Sequence, residues 1–179
     1  MPKPTKKLKL EDHIIEPLGS DHDREAFSCG EDALDGYLKK QASQDVKKRA
    51  AAVFILRHKD ANSVIGYYAL SSISIPLDEL PNEEAKRLPR YPLVPATLLG
   101  RFAVGKDFQG SGLGQHFLMD ALSRSLRQSS EIGSALVIVD AKDAKAREFY
   151  EHYGFIAFPE HTLRLFLPMA TIAKILPLP

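Results

Sequence analysis

The sequence predicts one α/β domain, a mixed β-sheet with helices on both faces. Three observations carry that reading. Residues 98–104 form an apolar run suited to a buried strand, residues 113–128 an amphipathic helix, and residues 134–139 a second apolar strand. Strand, helix, strand in that order implies a right-handed crossover and a parallel pair. Upstream, residues 51–57 and 64–75 read as two strands around the turn-rich Lys59-Asp60-Ala61-Asn62-Ser63, an antiparallel hairpin. Finally, a glycine-rich turn, Gln109-Gly110-Ser111-Gly112-Leu113-Gly114, joins the first parallel strand to its helix.

The remaining elements follow in chain order. Lys3, Lys6, Lys7 and Lys9 mark residues 1–12 as a basic mobile arm, leaving residues 13–179 as the domain. A short strand is expected near the start of residues 14–28. Helical spacing begins at Glu31 and puts Leu34, Tyr37, Leu38 and Ala42 on one face. Acidic Glu31, Asp32 and Asp35 open this helix and Lys47, Lys48 and Arg49 close it, which complements the helix dipole. The same three cations also suit an RNA backbone. Residues 76–95 hold five prolines and a short helical stretch, and are expected as an irregular surface insertion. Past the glycine turn, Leu113, Phe117, Leu118, Ala121, Leu122 and Leu126 share one helix face. A further helix is expected over residues 144–153, with Gly154 as its left-handed cap, then a strand over 162–167 that Pro168 ends. Residues 169–176 are left as an apolar tail.

The chain has 179 residues, enough for one ordinary core, and 24 basic against 23 acidic side chains, so its net charge does not demand a polyanionic partner. The single cysteine, Cys29, excludes an intramolecular disulfide and is expected as a small packing or helix-entry residue. His116 and His152 have no metal-ligand spacing with other donors, and no metal is expected. Without a signal-peptide pattern or a bilayer-length apolar segment, a cytoplasmic protein is expected, with no membrane partner.

The glycine turn carries the first chemical signal. Such a turn leaves backbone N–H groups unpaired, lets a ligand approach closely and places it at the positive end of a helix dipole, a ready site for a pyrophosphate. No Gly-Lys-Ser/Thr follows, so a P-loop is excluded, and Gln109 stands where the dinucleotide fingerprint needs its first glycine. The run instead resembles the Gln/Arg-x-x-Gly-x-Gly/Ala loop of the GNAT acetyltransferase superfamily. A second phrase, Ala146-Arg147-Glu148-Phe149-Tyr150-Glu151-His152-Tyr153-Gly154-Phe155, resembles that family's helix preceding a Gly-Phe pair. Two further segments are similar to the GNAT toxins of toxin–antitoxin pairs. These are Leu99-Gly100-Arg101-Phe102-Ala103-Val104 and the stretch from Phe27 to Leu38 that contains Gly30, Leu34-Asp35 and Tyr37-Leu38. Gly66-Tyr67-Tyr68-Ala69-Leu70 fits their central strand, so the resemblance spans residues 27–167.

The resemblance implies a GNAT fold whose parallel strands splay around acetyl-CoA as co-substrate. It implies pyrophosphate contacts from Gln109, Gly110, Ser111, Gly112, Leu113, Gly114 and Gln115, and pantetheine contacts from the backbone of Phe102, Ala103 and Val104. It makes Tyr150 the general acid for the departing thiolate, with Tyr153 as its rival. The family acetylates the amino group of aminoacyl-tRNA, stops translation, and is held in check by a ribbon-helix-helix antitoxin; a homodimer is expected. The alternative is a GNAT enzyme acting on a small amine or a protein N-terminus. The strand over residues 98–104 lacks the carboxylate base found in many GNAT enzymes. That fits an α-amine, which titrates near ~8 against ~10.4 for lysine and needs little help to lose its proton. Arg101, within an apolar strand, is costly to bury unless paired. It is expected either to pair with an acid such as Asp140 or Glu148, or to contact cofactor phosphate or the tRNA end. Lys47, Lys48 and Arg49 are the other candidate substrate contacts.

Overall fold

A computed structural model describes residues 9–176. Seven strands lie in one sheet in the order β1-β2-β3-β4-β5-β7-β6. They are β1 (His13–Pro17), β2 (Ala52–His58), β3 (Val64–Pro76), β4 (Leu93–Val104), β5 (Leu136–Asp140), β6 (Ile156–Ala157) and β7 (Arg164–Pro168). The helices are α1 (Asp32–Lys40), α2 (Ala42–Lys47), α3 (Asn82–Ala85), α4 (Leu113–Gln128), α5 (Ala144–His152) and α6 (Met169–Ile175). Of the basic arm expected over residues 1–12, residues 1–8 lie outside the described residues. Leu10–Asp12 form a 3-10 turn, and Asp12 pairs with Lys59 at 3.2 Å.

The chain divides into two compact units. The first combines the residues up to Leu70 with Arg101–Ala121. Its strands alternate by the period of two that a pleated backbone imposes. Val53 and Ile55 of β2, Tyr67 and Ala69 of β3, and Ala103 of β4 join Tyr37, Leu38 and Ala42 of α1 and α2 in one buried cluster. The intervening Phe54, Tyr68 and Phe102 turn the other way. Tyr68 meets Phe54 at 5.2 Å, and Phe117 of α4 meets both Tyr68 and Phe102, at 4.8 and 5.5 Å between ring centres. Within this unit α1–α2 therefore cover one face and the start of α4 the other. The expected early helix is broken at Gln41 into two pieces.

The second unit combines Ser71–Gly100 with the residues from Leu122 onward. β4 and β5 pair in parallel from Ala96↔Leu136 to Leu99↔Val139, and β7 pairs antiparallel with β5. Ile75, Val94, Ala96, Leu136, Ile138, Phe158 and Phe166 form its buried cluster. The proline-rich segment belongs to this core instead of lying loosely on the surface. Leu80 is buried, and Leu77, Ala85 and Leu88 pack against the same cluster. β4 also starts earlier than the apolar run suggested. Pro95 has no N–H for a ladder, yet its carbonyl accepts from Ala135 N–H at 2.9 Å while Val94 and Ala96 point inward. The apolar tail folds as α6, with Met169 and Ile172 buried.

Candidate functional site

The turn after β4 is held open by its own side chains. Gln109 donates its amide to the carbonyls of Cys29 and Val104, both at 2.9 Å, which ties the turn to the end of the strand and to the segment before α1. Ser111 donates its hydroxyl to the Phe108 carbonyl. Gly110 and Gly112 have φ of 76° and 86°, a region L side chains avoid. A Cβ at either position would meet nothing within 4 Å, so these glycines answer a backbone requirement and leave clear space in front of the turn. Leu113 is fully buried and anchors α4, Gly114 lies inside the helix, and Gln115 is exposed. His116 N–H donates to the Gly112 carbonyl at 3.3 Å, while the first N–H groups of α4 have no acceptors inside their helix, and donors of this kind next to a left-handed glycine turn fit a pyrophosphate.

Upstream, β3 and β4 approach closely. A Cβ on Gly66 would sit 2.9 Å from the Ala103 carbonyl, and Gly105 N–H donates to the Ile65 carbonyl at 2.7 Å. Phe102 faces α4, Ala103 is buried in the opposite cluster, and Val104 is half-buried. Cys29 is buried, as its packing role requires, and receives Asp35 as acceptor for its N–H at 2.9 Å.

Arg101 is paired with an aromatic ring. Its guanidinium carbon lies 3.7 Å from the centre of the Tyr37 ring. Asp140, one of the two acids expected to neutralise it, accepts two hydrogen bonds from Arg164, at 2.7 and 3.1 Å. That ion pair borders an open concavity of about 510 Å³ that also involves Ala141, His161, Thr162 and Leu163. Tyr37 and its partner Asp45 escaped the sequence reading, which placed Tyr37 on a helix face and nothing more. The one available signal was an arginine inside an apolar strand, which needs a partner but does not name it. Lys47 ends α2, and Lys48 and Arg49 follow, all exposed; Arg49 has a left-handed backbone with φ 58°.

α5 starts at Asp143, whose carboxylate accepts from Ala146 N–H at 2.8 Å, and ends before Gly154 with φ 94°, the left-handed cap. Tyr150 sits near the end of this helix. It is buried, with the Phe149 and Phe155 rings 5.3 and 5.4 Å away. Burial pushes its phenol well above the ordinary tyrosine range, so the group is protonated at any physiological pH. Tyr153 is half-buried and packs on Phe149 at 5.2 Å. Among the described residues no cluster of His, Cys, Asp and Glu could hold a metal, and no helix is long and apolar enough to cross a membrane.

Comparison with known proteins agrees with these features. The acetyltransferase (GNAT) domain model matches residues 95–173. A probable toxin TacT from Sinorhizobium fredii is 34% identical over 171 residues, covering 91% of this chain and 94% of the relative. A tRNA-acetylating toxin from Mycobacterium tuberculosis is 36% identical over 144 residues, covering 80% and 84%. Among solved structures, AtaT complexed with acetyl-methionyl-tRNAfMet is 30% identical with a TM-score of 0.85, covering 92% of this chain and 99% of that one. A tyrosine-to-phenylalanine mutant of AtaT bound to acetyl-CoA and the C-terminus of the antitoxin AtaR is 27% identical with a TM-score of 0.79, covering 93% and 99%.

Proposed function

The chain belongs to the GNAT-fold tRNA-acetylating toxins, and from that premise we propose that it transfers an acetyl group from acetyl-CoA to the α-amino group of aminoacyl-tRNA, stopping translation. The observation that carries the chemistry is the glycine turn: two left-handed glycines with clear space beside them, followed at once by the N-terminus of α4. In this reading the N–H groups of residues 110–115 bind the pyrophosphate, with Gln109 fixing the shape of the turn. The backbone of Phe102, Ala103 and Val104 receives the pantetheine amides.

Acetyl-CoA brings an activated thioester, which the neutral amine attacks at its carbonyl carbon; a C–N bond forms, the C–S bond breaks and the nitrogen gives up one proton to solvent. Tyr150 donates its phenolic proton to the departing sulfur and recovers one from water. Because burial disfavours its phenolate, Tyr150 carries its proton when the thiolate departs, the state a general acid needs. β4 offers no carboxylate as base, which suits an amine that is partly neutral at physiological pH. Lys47, Lys48 and Arg49 are read as contacts to the RNA backbone. A cognate antitoxin of the ribbon-helix-helix type, a homodimer and a cytoplasmic location complete the reading. AtaT has been solved with the C-terminus of its antitoxin AtaR, which supports a cognate antitoxin for this chain.

The test is transfer of labelled acetyl from acetyl-CoA to bulk charged tRNA, with deacylated tRNA and free amino acids as controls. Label on charged tRNA alone is the expected result. Label on free amino acids or on protein N-termini, with none on charged tRNA, overturns it.

A further inference from the structure

Arg101 leaves β4 on the side of Ala103, the side covered by α1 and α2, while Phe102 turns toward α4. Its guanidinium carbon lies over Tyr37, 3.7 Å from the ring centre. The ring is itself fixed. Its hydroxyl donates to one oxygen of Asp45 at 2.8 Å, and the amide of Gln41 donates to the other at 2.9 Å. Behind it the Tyr67 ring stacks at 6.1 Å, and the Tyr67 hydroxyl donates to the Leu34 carbonyl at 2.6 Å. Burial, and then the Asp45 carboxylate, push the Tyr37 phenol up to about 12, so the hydroxyl remains a donor. The hydrogen bonds from Gln41 and Tyr37 hold the Asp45 carboxyl below the usual range, so it remains an acceptor.

A guanidinium held by its π face keeps the N–H donors on its edge available. Among the described residues no carboxylate forms an ion pair with Arg101, which is half-buried. The Asp45 carboxylate acts on the guanidinium electrostatically without a direct ion pair, so this is a cation oriented by a ring whose edge can still meet a further anion. Lys40 at the end of α1, Lys47 at the end of α2, and Lys48 and Arg49 just after it are exposed, so positive charge gathers at the ends of the helices that cover this side of β4. The start of α4, read as the pyrophosphate site, packs on the other side.

We propose that Tyr37 and Asp45 are positioning residues that aim Arg101 at a backbone phosphate in the acceptor end of the tRNA, with Lys47, Lys48 and Arg49 continuing the track. The inference rests on the tRNA reading of the substrate. Arg101 makes the contact, and the Tyr37–Asp45 pair removes the disorder the side chain would otherwise lose on binding.

Steady-state acetylation of bulk charged tRNA tests this across a range of salt concentrations. Arg101→Gln, which leaves the buried cluster intact, is expected to raise KM for charged tRNA by about tenfold. It should leave kcat and the acetyl-CoA KM near wild type. The plot of log KM against log salt should be shallower by ~0.7, the share of one phosphate on a single strand. Tyr37→Leu should reproduce the rise in KM, and Tyr37→Phe, which keeps the ring face but loses the bond to Asp45, should give a smaller rise of about two- to threefold. A wild-type tRNA KM and salt slope in Arg101→Gln overturns the proposal, as does a rise in acetyl-CoA KM in its place. Wild-type tRNA KM in a folded Tyr37→Leu protein overturns the positioning role. Wild-type protein that neither acetylates nor retains charged tRNA overturns the function itself, and this inference with it.

Discussion

Gly112→Ala separates the two demands placed on the glycine turn. The added methyl meets no atom within 4 Å, so packing contributes nothing and the whole folding cost is the left-handed backbone at φ 86°. For an L residue that cost is roughly 1–2 kcal/mol. For a chain of this size it lowers Tm by about 2–8 °C. The methyl would, however, stand in the clear space assigned to the pyrophosphate and push it off the amides. Losing one charge-assisted hydrogen bond there weakens acetyl-CoA binding by about tenfold. Calorimetric titration with acetyl-CoA and with S-acetylpantetheine, which lacks the pyrophosphate, distinguishes the two effects. The expected outcome is weaker acetyl-CoA binding with unchanged S-acetylpantetheine binding. Gly66→Ala is the matched control: its Cβ would press on the Ala103 carbonyl at 2.9 Å, which costs stability by overpacking and leaves the ratio of the two affinities unchanged. A normal acetyl-CoA affinity in Gly112→Ala, together with the expected drop in Tm, would refute the pyrophosphate assignment.

Three further outcomes follow from the same geometry. Tyr150→Phe should lower kcat by ~10²-fold with acetyl-CoA affinity unchanged, the size of a lost general acid; single-turnover acetylation checks it, and full activity would remove Tyr150 from the mechanism. Replacing Lys47, Lys48 and Arg49 together by Ala should weaken charged-tRNA binding and flatten its salt dependence without moving Tm by more than a few degrees, since all three are exposed; filter binding against salt measures this. Glu16 accepts from Arg57 and from His22 Nε2, while His22 Nδ1 accepts from Gly19 N–H, and these partners hold its carboxyl below the ordinary 4.5. A depressed folded-state value means that the stabilisation is present above pH 4.5 and is lost as pH falls through the folded-state value. Because the pair is partly open to water it is worth ~0.5–1 kcal/mol, so Glu16→Gln should lower stability at pH 7 by that amount and flatten the acid limb of the Tm–pH curve.

Much of the fold is legible wherever one physical rule acts alone. β2, β3, α4 and α5 lie within a residue or two of where periodicity puts them, because each buries one face and shows it as a period of two or 3.6. The rule fails where neighbours decide. Pro95 disguises the start of β4, since its missing N–H matters only in light of which ladder positions need a donor. The two-residue β6 is too short to show any period and exists because Phe166 and Leu165 of β7 offer it partners. Residues 76–95 look like a surface loop because proline content reports backbone stiffness, whereas Leu80 is buried by the strands it meets.

The candidate site divides along the same line. A glycine turn between a strand and a helix, and a tyrosine ahead of Gly154-Phe155, are local patterns, and local chemistry gives them meaning. By itself the sequence determined the fold class, the turn suited to a pyrophosphate, and the presence of an arginine that required a partner. Which partner it has was decided only in three dimensions. Arg101 rests on Tyr37, Tyr37 is bonded to Asp45, and Asp140 is taken by Arg164. Those pairings depend on strand alternation and on which helix covers which face of the sheet, a consequence of packing the whole chain that no single segment encodes.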